Sequence, residues 1–280
     1  MTHIAVLGSI NLDLSASVSR LPAPGETVTG ATLSRFPGGK GANQALAARR
    51  LGADVSLIGC VGDDSAADEA LALLKEGGVD LTRCVRHASA ATGIALIAVA
   101  ESGENQIVVA PGANAELEPD AVDLPDADAL ICQLEIPRHT IVDVAERFDG
   151  FFVVNLAPAR QVDVSILQRA DLIIVNETEA AWYGSSLGAC GGLVATTYGA
   201  AGAALHKDGK EIARAEAPAV KAIDTVGAGD TFTAALTLRL VESEDPASAL
   251  RFACAAGAAA TLARGAQPAL PTSDEVAALL

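Results

Sequence analysis

The chain has 280 residues, of which 50% are hydrophobic and 19% are charged, a composition typical of a globular protein and not of a disordered one. Its formal net charge of -16, without any basic run, argues against a general affinity for nucleic acid, because nothing offsets the repulsion from phosphate. This length suits one α/β domain with an accessory element, and an anionic ligand would need a local site.

Five short runs of β-branched and aliphatic residues predict the strands of a central sheet. The runs are continuous and do not alternate with polar residues, which indicates strands that are covered on both faces. In chain order they lie at residues 4–7, 55–58, 129–132, 151–154 and 172–175. Helices are predicted at residues 41–51, 65–76, 138–147 and 163–169. This order predicts an α/β fold, with a doubly wound, mostly parallel sheet flanked by helices.

Two pairs of segments interrupt this alternation. Residues 14–19 with 27–36, and residues 93–99 with 105–109, are typical of antiparallel ribbons, with turn signals at 22–25 and 101–104. We expect a small inserted β-sheet, from about 14–36 and 93–109, within a single domain of residues 1–280. Ligands of α/β proteins bind at the carboxyl ends of parallel strands, so this sheet would act as a lid. A static flap is the alternative.

The scattered cysteines and histidines predict neither disulfides nor zinc. The five cysteines include no Cys-x-x-Cys pair, and the four histidines lack zinc-type spacing. Reduced thiols, and an N-terminus that enters a strand without the pattern of a signal peptide, predict a cytoplasmic protein. The apolar stretch 252–263 is too short to cross a bilayer and is typical of a buried helix.

The first strand is followed by two polar side chains that suit a polyol. Asn11 and Asp13 are two residues apart and can point the same way to bind two hydroxyls. The alternative is that they end the strand by bonding to their own backbone.

A glycine turn then opens the first predicted helix, in the order Gly38-Gly39-Lys40-Gly41-Ala42-Asn43. It is not a Walker A motif, because Gly41 follows Lys40 where that motif has Ser or Thr. The close backbone approach at the glycines, with Lys40 and Asn43 on the first turn, suits a small polar ligand.

Two further strands are followed by carboxylates. Glu135 can accept a hydrogen bond from one more hydroxyl. Asn176 and Glu179 are three residues apart on a predicted first helical turn, where the carboxylate could order water around Mg²⁺. A capping box, with Asn176 as N-cap, explains the same spacing.

The segment Asp224-Thr225-Val226-Gly227-Ala228-Gly229-Asp230 leads into an Ala-rich predicted helix. A small-residue loop at a helix start combines free backbone N–H groups with the positive end of the helix dipole. Asp230 adds a candidate general base, so the segment suits phosphoryl transfer. An ordinary turn before a helix is the alternative.

Taken in order, these motifs resemble those of the ribokinase-like (PfkB) carbohydrate kinases along essentially the whole chain. The resemblance also includes segments 22–30, 59–64, 111–115, 155–160 and 265–268. It implies an ATP-dependent kinase that phosphorylates the primary 5-hydroxyl of D-ribose. Fructose, 2-keto-3-deoxygluconate and nucleosides such as adenosine are alternative substrates, and a non-catalytic sugar-binding protein is the alternative from another class.

The resemblance also implies the roles of individual residues. Asp230 would be the base, and the amides of Gly227, Ala228 and Gly229 would form an anion hole for the transferred group. The residues implied to hold the sugar are Asn11, Asp13, Gly39, Lys40, Asn43, Glu135 and Asp230. Those implied on the ATP and Mg²⁺ side are Asn176, Glu179, Thr197, Gly199, Gly202, Gly229 and Cys254.

Further implications concern a monovalent cation, a shortened segment and a dimer. Members of this family bind K⁺, here implied at Asp224, Val226, Ala260, Ala263, Gly265 and Ala269. Ala269 stands where a serine is common, so one ligand of the ion is expected to be missing. Segment 180–194 is shorter than its counterpart by about one helix, which would leave one sheet edge less covered. Open edges of the small sheet favour a homodimer.

Overall fold

The structure is a computed structural model that describes all 280 residues, from Met1 to Leu280. It contains thirteen strands, nine of which form a central sheet and four a second sheet. The strands are β1 (His3–Leu7), β2 (Asn11–Val18), β3 (Thr32–Gly38), β4 (Asp54–Gly62), β5 (Cys84–His87), β6 (Gly93–Ala100), β7 (Asn105–Ala110), β8 (Ala129–Gln133), β9 (Phe151–Asn155), β10 (Leu172–Asn176), β11 (Leu193–Thr197), β12 (Ala203–Lys207) and β13 (Lys210–Ala215).

The central sheet has the spatial order β13-β12-β11-β10-β9-β8-β1-β4-β5. All pairs from β5 to β11 are parallel, and β12 runs antiparallel to both of its neighbours. The five predicted strands are β1, β4, β8, β9 and β10. The prediction of a doubly wound, mostly parallel sheet is confirmed.

Helices cover both faces of this sheet, and the sheet separates the hydrophobic core into two clusters. They are α1 (Lys40–Arg50), α2 (Ser65–Glu76), α3 (Arg138–Arg147), α4 (Val164–Arg169), α5 (Glu177–Tyr183), α6 (Ala228–Val241), α7 (Pro246–Ala259) and α8 (Ser273–Ala277). Successive residues of β1 alternate between the two cores, with Ile4 and Val6 in one and Ala5 and Leu7 in the other. This two-sided burial explains why the strand sequences are continuously apolar. No helix has the length and hydropathy to cross a bilayer.

The second sheet has the order β3-β2-β6-β7. The β2–β3 and β6–β7 pairs are antiparallel, as predicted, and β2 pairs with β6 in parallel. In this sheet, the two largest differences from the predicted boundaries are at the starts of β3 and β2. Strand β3 begins at Thr32 and not at residue 27, because Gly30 has a φ of 86°, outside the β region. Strand β2 begins at Asn11, which already pairs with Gly38 and Gly93.

The end of β1 and the start of α1 are in direct backbone contact. The Ala42 amide donates to the Ser9 carbonyl at 3.0 Å, and a Cβ atom on Gly41 would lie 2.6 Å from the carbonyl carbon of Gly8. Gly39 has a φ of 90°, which only glycine adopts readily. These glycines therefore hold the first turn of α1 against the carboxyl end of β1.

The segment between α5 and β11 contains only a short 3₁₀ helix, Gly184–Ala189. Trp182, just before it, is 55% exposed, and Val194 on β11 is only partly buried. Strands β8, β9 and β10, by contrast, are buried almost throughout. The sheet is thus less covered at β11 than at its centre, although β11 is not the predicted edge, because β12 and β13 lie beyond it.

Candidate active site

The predicted site residues converge at the carboxyl ends of the central strands. Strand β1 lies between β4 and β8, so successive connections of the chain leave β1 on opposite sides. In doubly wound folds, ligands bind at such a reversal of strand order. The N-termini of α1 and α6 meet at this place, and they carry Lys40 and Asp230.

The Asp230 carboxylate lies at the centre of the site and is only 7% exposed. Its Oδ2 accepts a hydrogen bond from Asn43 Nδ2, and its Oδ1 accepts one from Gln44 Nε2, both at 2.9 Å. Burial raises the pKa of Asp230 above its ordinary range, and Glu135 adds to this rise, whereas Lys40 and the two amides act against it. A carboxylate with a raised pKa and room for another donor can accept a proton from a bound hydroxyl.

Asn11 and Asp13 lie on one face of β2, as their spacing predicts. They begin a strand of the second sheet and do not end β1, so the alternative of strand termination is not what the structure shows. Asn11 Oδ1 accepts a hydrogen bond from Asn114 Nδ2 at 2.8 Å. The Asp13 carboxyl group lies where a side chain on Gly38 would have to be, so Gly38 makes room for it.

Glu135 and Lys40 complete this half of the site. Glu135 Oε2 accepts a hydrogen bond from Ser9 Oγ at 2.5 Å and lies 3.5 Å from the Lys40 amide nitrogen. Burial acts to lower the pKa of the Lys40 ammonium, but the surrounding carboxylates outweigh it and raise this pKa. These carboxylates are Asp230, Glu135, Glu179 and Asp13.

Negative charge is in excess in this cluster, because four carboxylates surround one ammonium group. Burial, together with Glu135 and Asp230, raises the pKa of Asp13 to about 7, although Lys40 acts against the rise. Carboxylates accept hydrogen bonds, so this half of the site suits a ligand that carries several hydroxyl donors.

The N-terminus of α6 presents free amides next to Asp230. Its N-cap, Gly227, has a φ of 85°. A Cβ atom on Gly229 would have no neighbouring atom within 4 Å, so the space beside this residue is open. The Ala228 amide donates to the Thr225 carbonyl at 3.3 Å, whereas the amides of Gly227 and Gly229 have no acceptor in the protein. Unpaired amides at the positive end of a helix dipole favour an anion.

Asn176 and Glu179 form a capping box, which is the alternative that their spacing left open. Asn176 Oδ1 accepts from the Glu179 amide and Glu179 Oε2 accepts from the Asn176 amide, both at 2.8 Å. Burial raises the pKa of Glu179, although the Asn176 amide and Lys40 act against the rise. No group of three or more Asp, Glu, His or Cys side chains could by itself hold a metal ion.

Three of the residues predicted for the nucleotide, Thr197, Gly199 and Gly202, lie at the end of β11 and in the turn after it. Thr197 pairs with Asn176 across β10 and β11, and Gly199 and Gly202 form a tight turn after it. A Cβ atom on Gly202 would collide with the Ala215 carbonyl oxygen, so glycine is required there. The buried Cys254 thiol lies 3.8 Å from the same carbonyl oxygen. The turn and α7 therefore meet at one place.

The residues predicted for a monovalent cation lie on two loops that Asp224 connects. Its carboxylate accepts hydrogen bonds from the Val226 amide at 3.0 Å and from the Gly265 amide at 2.9 Å. The carbonyl oxygens of Val226, Ala263 and Gly265 accept no hydrogen bond from the protein. Such free carbonyls fit a hard cation. Ala260 directly follows the last residue of α7, and Ala269 supplies no side-chain oxygen.

Several polar residues of the site were not predicted from the sequence. They are Ser9, Gln44, Asn114, Gln133 and Asn155, all of which are buried. Gln133 and Asn155 are the last residues of β8 and β9, so their position at the carboxyl ends of parallel strands was a usable signal.

Comparison with known proteins gives a consistent result along the chain. The sequence matches the family described as pfkB family carbohydrate kinase over residues 1–273. It is 38% identical to the ribokinase of Bacillus subtilis, with 100% of both chains covered. That alignment extends over 296 positions, so the Bacillus protein has residues that this chain lacks.

Solved ribokinase structures have the same fold along the whole chain. The ribokinase from Thermotoga maritima matches with a TM-score of 0.91 and 32% identity, covering 100% of this chain and 99% of that one. The Arabidopsis thaliana ribokinase, which was solved with ribose and ATP, matches with a TM-score of 0.89 and 29% identity at the same coverage.

The raised pKa of Asp13 predicts a pH-dependent gain in stability for Asp13→Asn. Between the ordinary pKa of 3.8 and about 7, the folded state binds more protons than the unfolded chain, so wild-type stability falls as pH rises through this range. Asparagine does not ionise, so the variant escapes this fall. We expect the free energy of unfolding of Asp13→Asn, relative to that of the wild type, to increase by up to about 4 kcal/mol from about pH 4 to about pH 8.

Urea denaturation at both ends of this pH range measures the effect. Asp149→Asn, at an exposed loop position, controls for the loss of a carboxylate from an acidic protein. A gain for Asp13→Asn no larger than that of the control would contradict the prediction.

Proposed function

Because the chain belongs to the pfkB family of carbohydrate kinases, which are phosphotransferases, we propose that it transfers the γ-phosphate of ATP to the 5-hydroxyl of D-ribose. The observation that carries this proposal is the buried Asp230 carboxylate, which lies between unpaired α6 amides and a cluster of hydroxyl acceptors. Base, anion site and polyol site thus meet at one point. The Arabidopsis relative, solved with ribose and ATP, supports this choice of substrates.

In this mechanism Asp230 is the general base. The ribose 5-hydroxyl gives its proton to the Asp230 carboxylate as its oxygen attacks the γ-phosphorus. A new P–O bond forms to the sugar while the bond from the γ-phosphorus to the bridging oxygen breaks, and ADP leaves with that electron pair. The products are ribose 5-phosphate and ADP, and the proton on Asp230 is then released to solvent.

Charge on the transferred group is balanced from two sides. The unpaired amides of Gly227 and Gly229 would receive its oxygens, with Ala228 giving up its long hydrogen bond to join them. Lys40, whose ammonium lies among the carboxylates, would approach the group from the sugar side. Preorganised donors of this kind stabilise charge that develops in the transition state.

The nucleotide side would hold ATP with Mg²⁺, which supplies charge neutralisation on the phosphates when bound. Glu179 and Asn176 would face this side, and Glu179 Oε1, the carboxylate oxygen that the capping box leaves free, would accept from metal-bound water. The turn with Thr197, Gly199 and Gly202, next to Cys254, would hold the base and ribose of ATP.

We also propose a monovalent cation, K⁺, between the two loops that Asp224 joins. The free carbonyls of Val226, Ala263 and Gly265 support it, and Ala260 and Ala269 would offer backbone oxygens only. Because Ala269 supplies no hydroxyl, activation by K⁺ should be weaker than with a full set of ligands.

The second sheet would serve as a lid and as a homodimer interface. Its β2 strand carries Asn11 and Asp13, and its other three strands carry apolar side chains in solvent. On the face of Asn11 and Asp13 these are Ile107 and Val109, and on the other face Leu33, Leu96 and Val108. Exposed apolar strands favour a protein partner, and a second copy would cover them. A closed lid would keep water from accepting the phosphoryl group.

Asp230→Asn should fold normally and lose about a thousandfold or more in kcat, because the variant has no group to take the sugar's proton. Turnover is measured by ADP release, folding by circular dichroism, and sugar binding by calorimetry. The exposed variant Asp149→Asn is the control. An Asp230→Asn enzyme with near-normal kcat would rule out Asp230 as the base.

A sugar panel tests the substrate. We expect D-ribose to give a higher kcat/KM than 2-deoxyribose, fructose, 2-keto-3-deoxygluconate or adenosine. Adenosine should be a poor substrate because it carries its base where Glu135 can accept a hydrogen bond from a hydroxyl of the free sugar. Each assay is run with and without K⁺, and we expect a lower rate without it. A hexose or a nucleoside ranking first would overturn the ribose proposal. Ribose binding in calorimetry without any ADP release would instead favour a non-catalytic sugar-binding protein.

Light scattering tests the homodimer. At micromolar concentration we expect the mass of two chains for the wild type and of one chain for Ile107→Asp, because a charge on the apolar face opposes its burial. Ile212→Asp, at an exposed apolar position on β13, is the matched control and should stay dimeric. A monomeric wild type would contradict the proposal.

A further inference from the structure

A chain of buried amides leads from the central sheet to the Asp230 carboxylate. Gln133 Nε2, at the end of β8, donates to Gln44 Oε1 at 2.6 Å. Gln44 Nε2 donates to Asp230 Oδ1 at 2.9 Å and to Asn155 Oδ1 at 3.2 Å. Gln44 and Gln133 are completely buried, so no water competes for these hydrogen bonds.

Each amide in this chain has only one orientation that satisfies its neighbours. Asn155 Nδ2 donates to the Ile174 carbonyl oxygen at 3.2 Å, so Asn155 Oδ1 must face Gln44. Gln44 therefore meets two acceptors on one side and has to present its NH₂ group to them. Its Oε1 then faces Gln133, which has to present its own NH₂ group in turn. A flipped Gln44 would place its oxygen against the Asp230 carboxylate.

The oxygen of the Gln133 amide lies against the backbone at Gly8. Gln133 Oε1 has no hydrogen-bond partner and lies where a side chain on Gly8 would have to be. An unpartnered buried oxygen costs free energy that an apolar side chain of similar size would avoid. A residue kept at a cost in stability points to a role other than stability.

Gln44 also differs from the other groups around Asp230. The charged groups that face Asp230 are Lys40, Glu135 and Asp13. Asn43, the second amide donor, uses only its Nδ2 within the protein, because its buried Oδ1 has no partner. Both atoms of the Gln44 amide are used within the protein.

We propose that Gln44 is a positioning residue, which fixes the orientation of the Asp230 carboxylate and is itself anchored by Gln133. The proposal rests on the proposed role of Asp230 as the base. With Oδ1 tied to Gln44 and Oδ2 to Asn43, the carboxylate plane is set, and the remaining lone pairs point to where a hydroxyl must bind. The hydrogen bond from Gln44 also favours the ionised form of Asp230, which is the form that can accept a proton.

Gln44→Leu tests this role. We expect kcat to fall by about 10- to 100-fold with KM for ribose changed by less than about threefold, since a base that is misplaced affects the chemical step more than binding. We also expect the acidic limb of kcat/KM to move to higher pH by about one pH unit, because the ionised carboxylate loses a donor. Gln168→Leu, at an exposed position of α4, is the matched control and should leave both unchanged.

Two further variants keep the test decisive if Gln44→Leu does not fold. Gln44→Glu has the same size but places a like charge beside Asp230, so its acidic limb should move to still higher pH. Gln133→Leu removes only the anchor and should give a smaller loss in kcat with a limb shift in the same direction. Folded variants with the wild-type pH profile and kcat within about twofold of the wild type would overturn the proposal.

The variant Asp230→Asn separates the two hypotheses. If it stays active, the role of Asp230 as base fails, whatever Gln44 does. If it is inactive while the Gln44 variants match the wild type, only the positioning role fails.

Discussion

A carboxylate that is only 7% exposed must obtain from the protein what water would otherwise supply, and this need shapes the centre of the molecule. Two helices and two strands contribute to Asp230: α6 carries it, α1 brings two amide donors, and the ends of β8 and β9 orient one of those donors. The same burial that makes the charge costly also makes the group a stronger proton acceptor.

The convergence of these elements depends on two glycines. Gly8 and Gly41 let the backbone of β1 and the first turn of α1 approach to a distance that any side chain would prevent. Lys40, Asn43 and Gln44 all belong to that turn, so a single backbone contact sets the positions of a cation and two amides at once. Loss of the contact would displace all three from Asp230 together.

Much of the fold could be predicted from the sequence, because a strand buried on both faces leaves a continuous apolar run. Strands β5 and β11 to β13 were missed, since they are short, partly polar and lie toward the two edges of the sheet. In the site, motifs with glycine or charge were recognised. Gln44 and Gln133 were not, because a neutral amide has no pattern of its own and its role depends on partners that are distant in sequence. The capping box at Asn176 shows that one spacing can fit two structures.

The second sheet is joined to the site by the strands themselves and not by a flexible linker. Strand β2 starts at Asn11 and includes Asp13, and β3 ends at Gly38, next to the turn that carries Lys40. The two strands are paired along their whole length, so they form one stiff ribbon. Swinging this ribbon as a rigid body would withdraw Asp13 from the cluster. If this sheet is the lid that we propose, opening it would take away Asp13, one of the proposed hydrogen-bonding partners of the sugar, so product release would coincide with disassembly of the pocket.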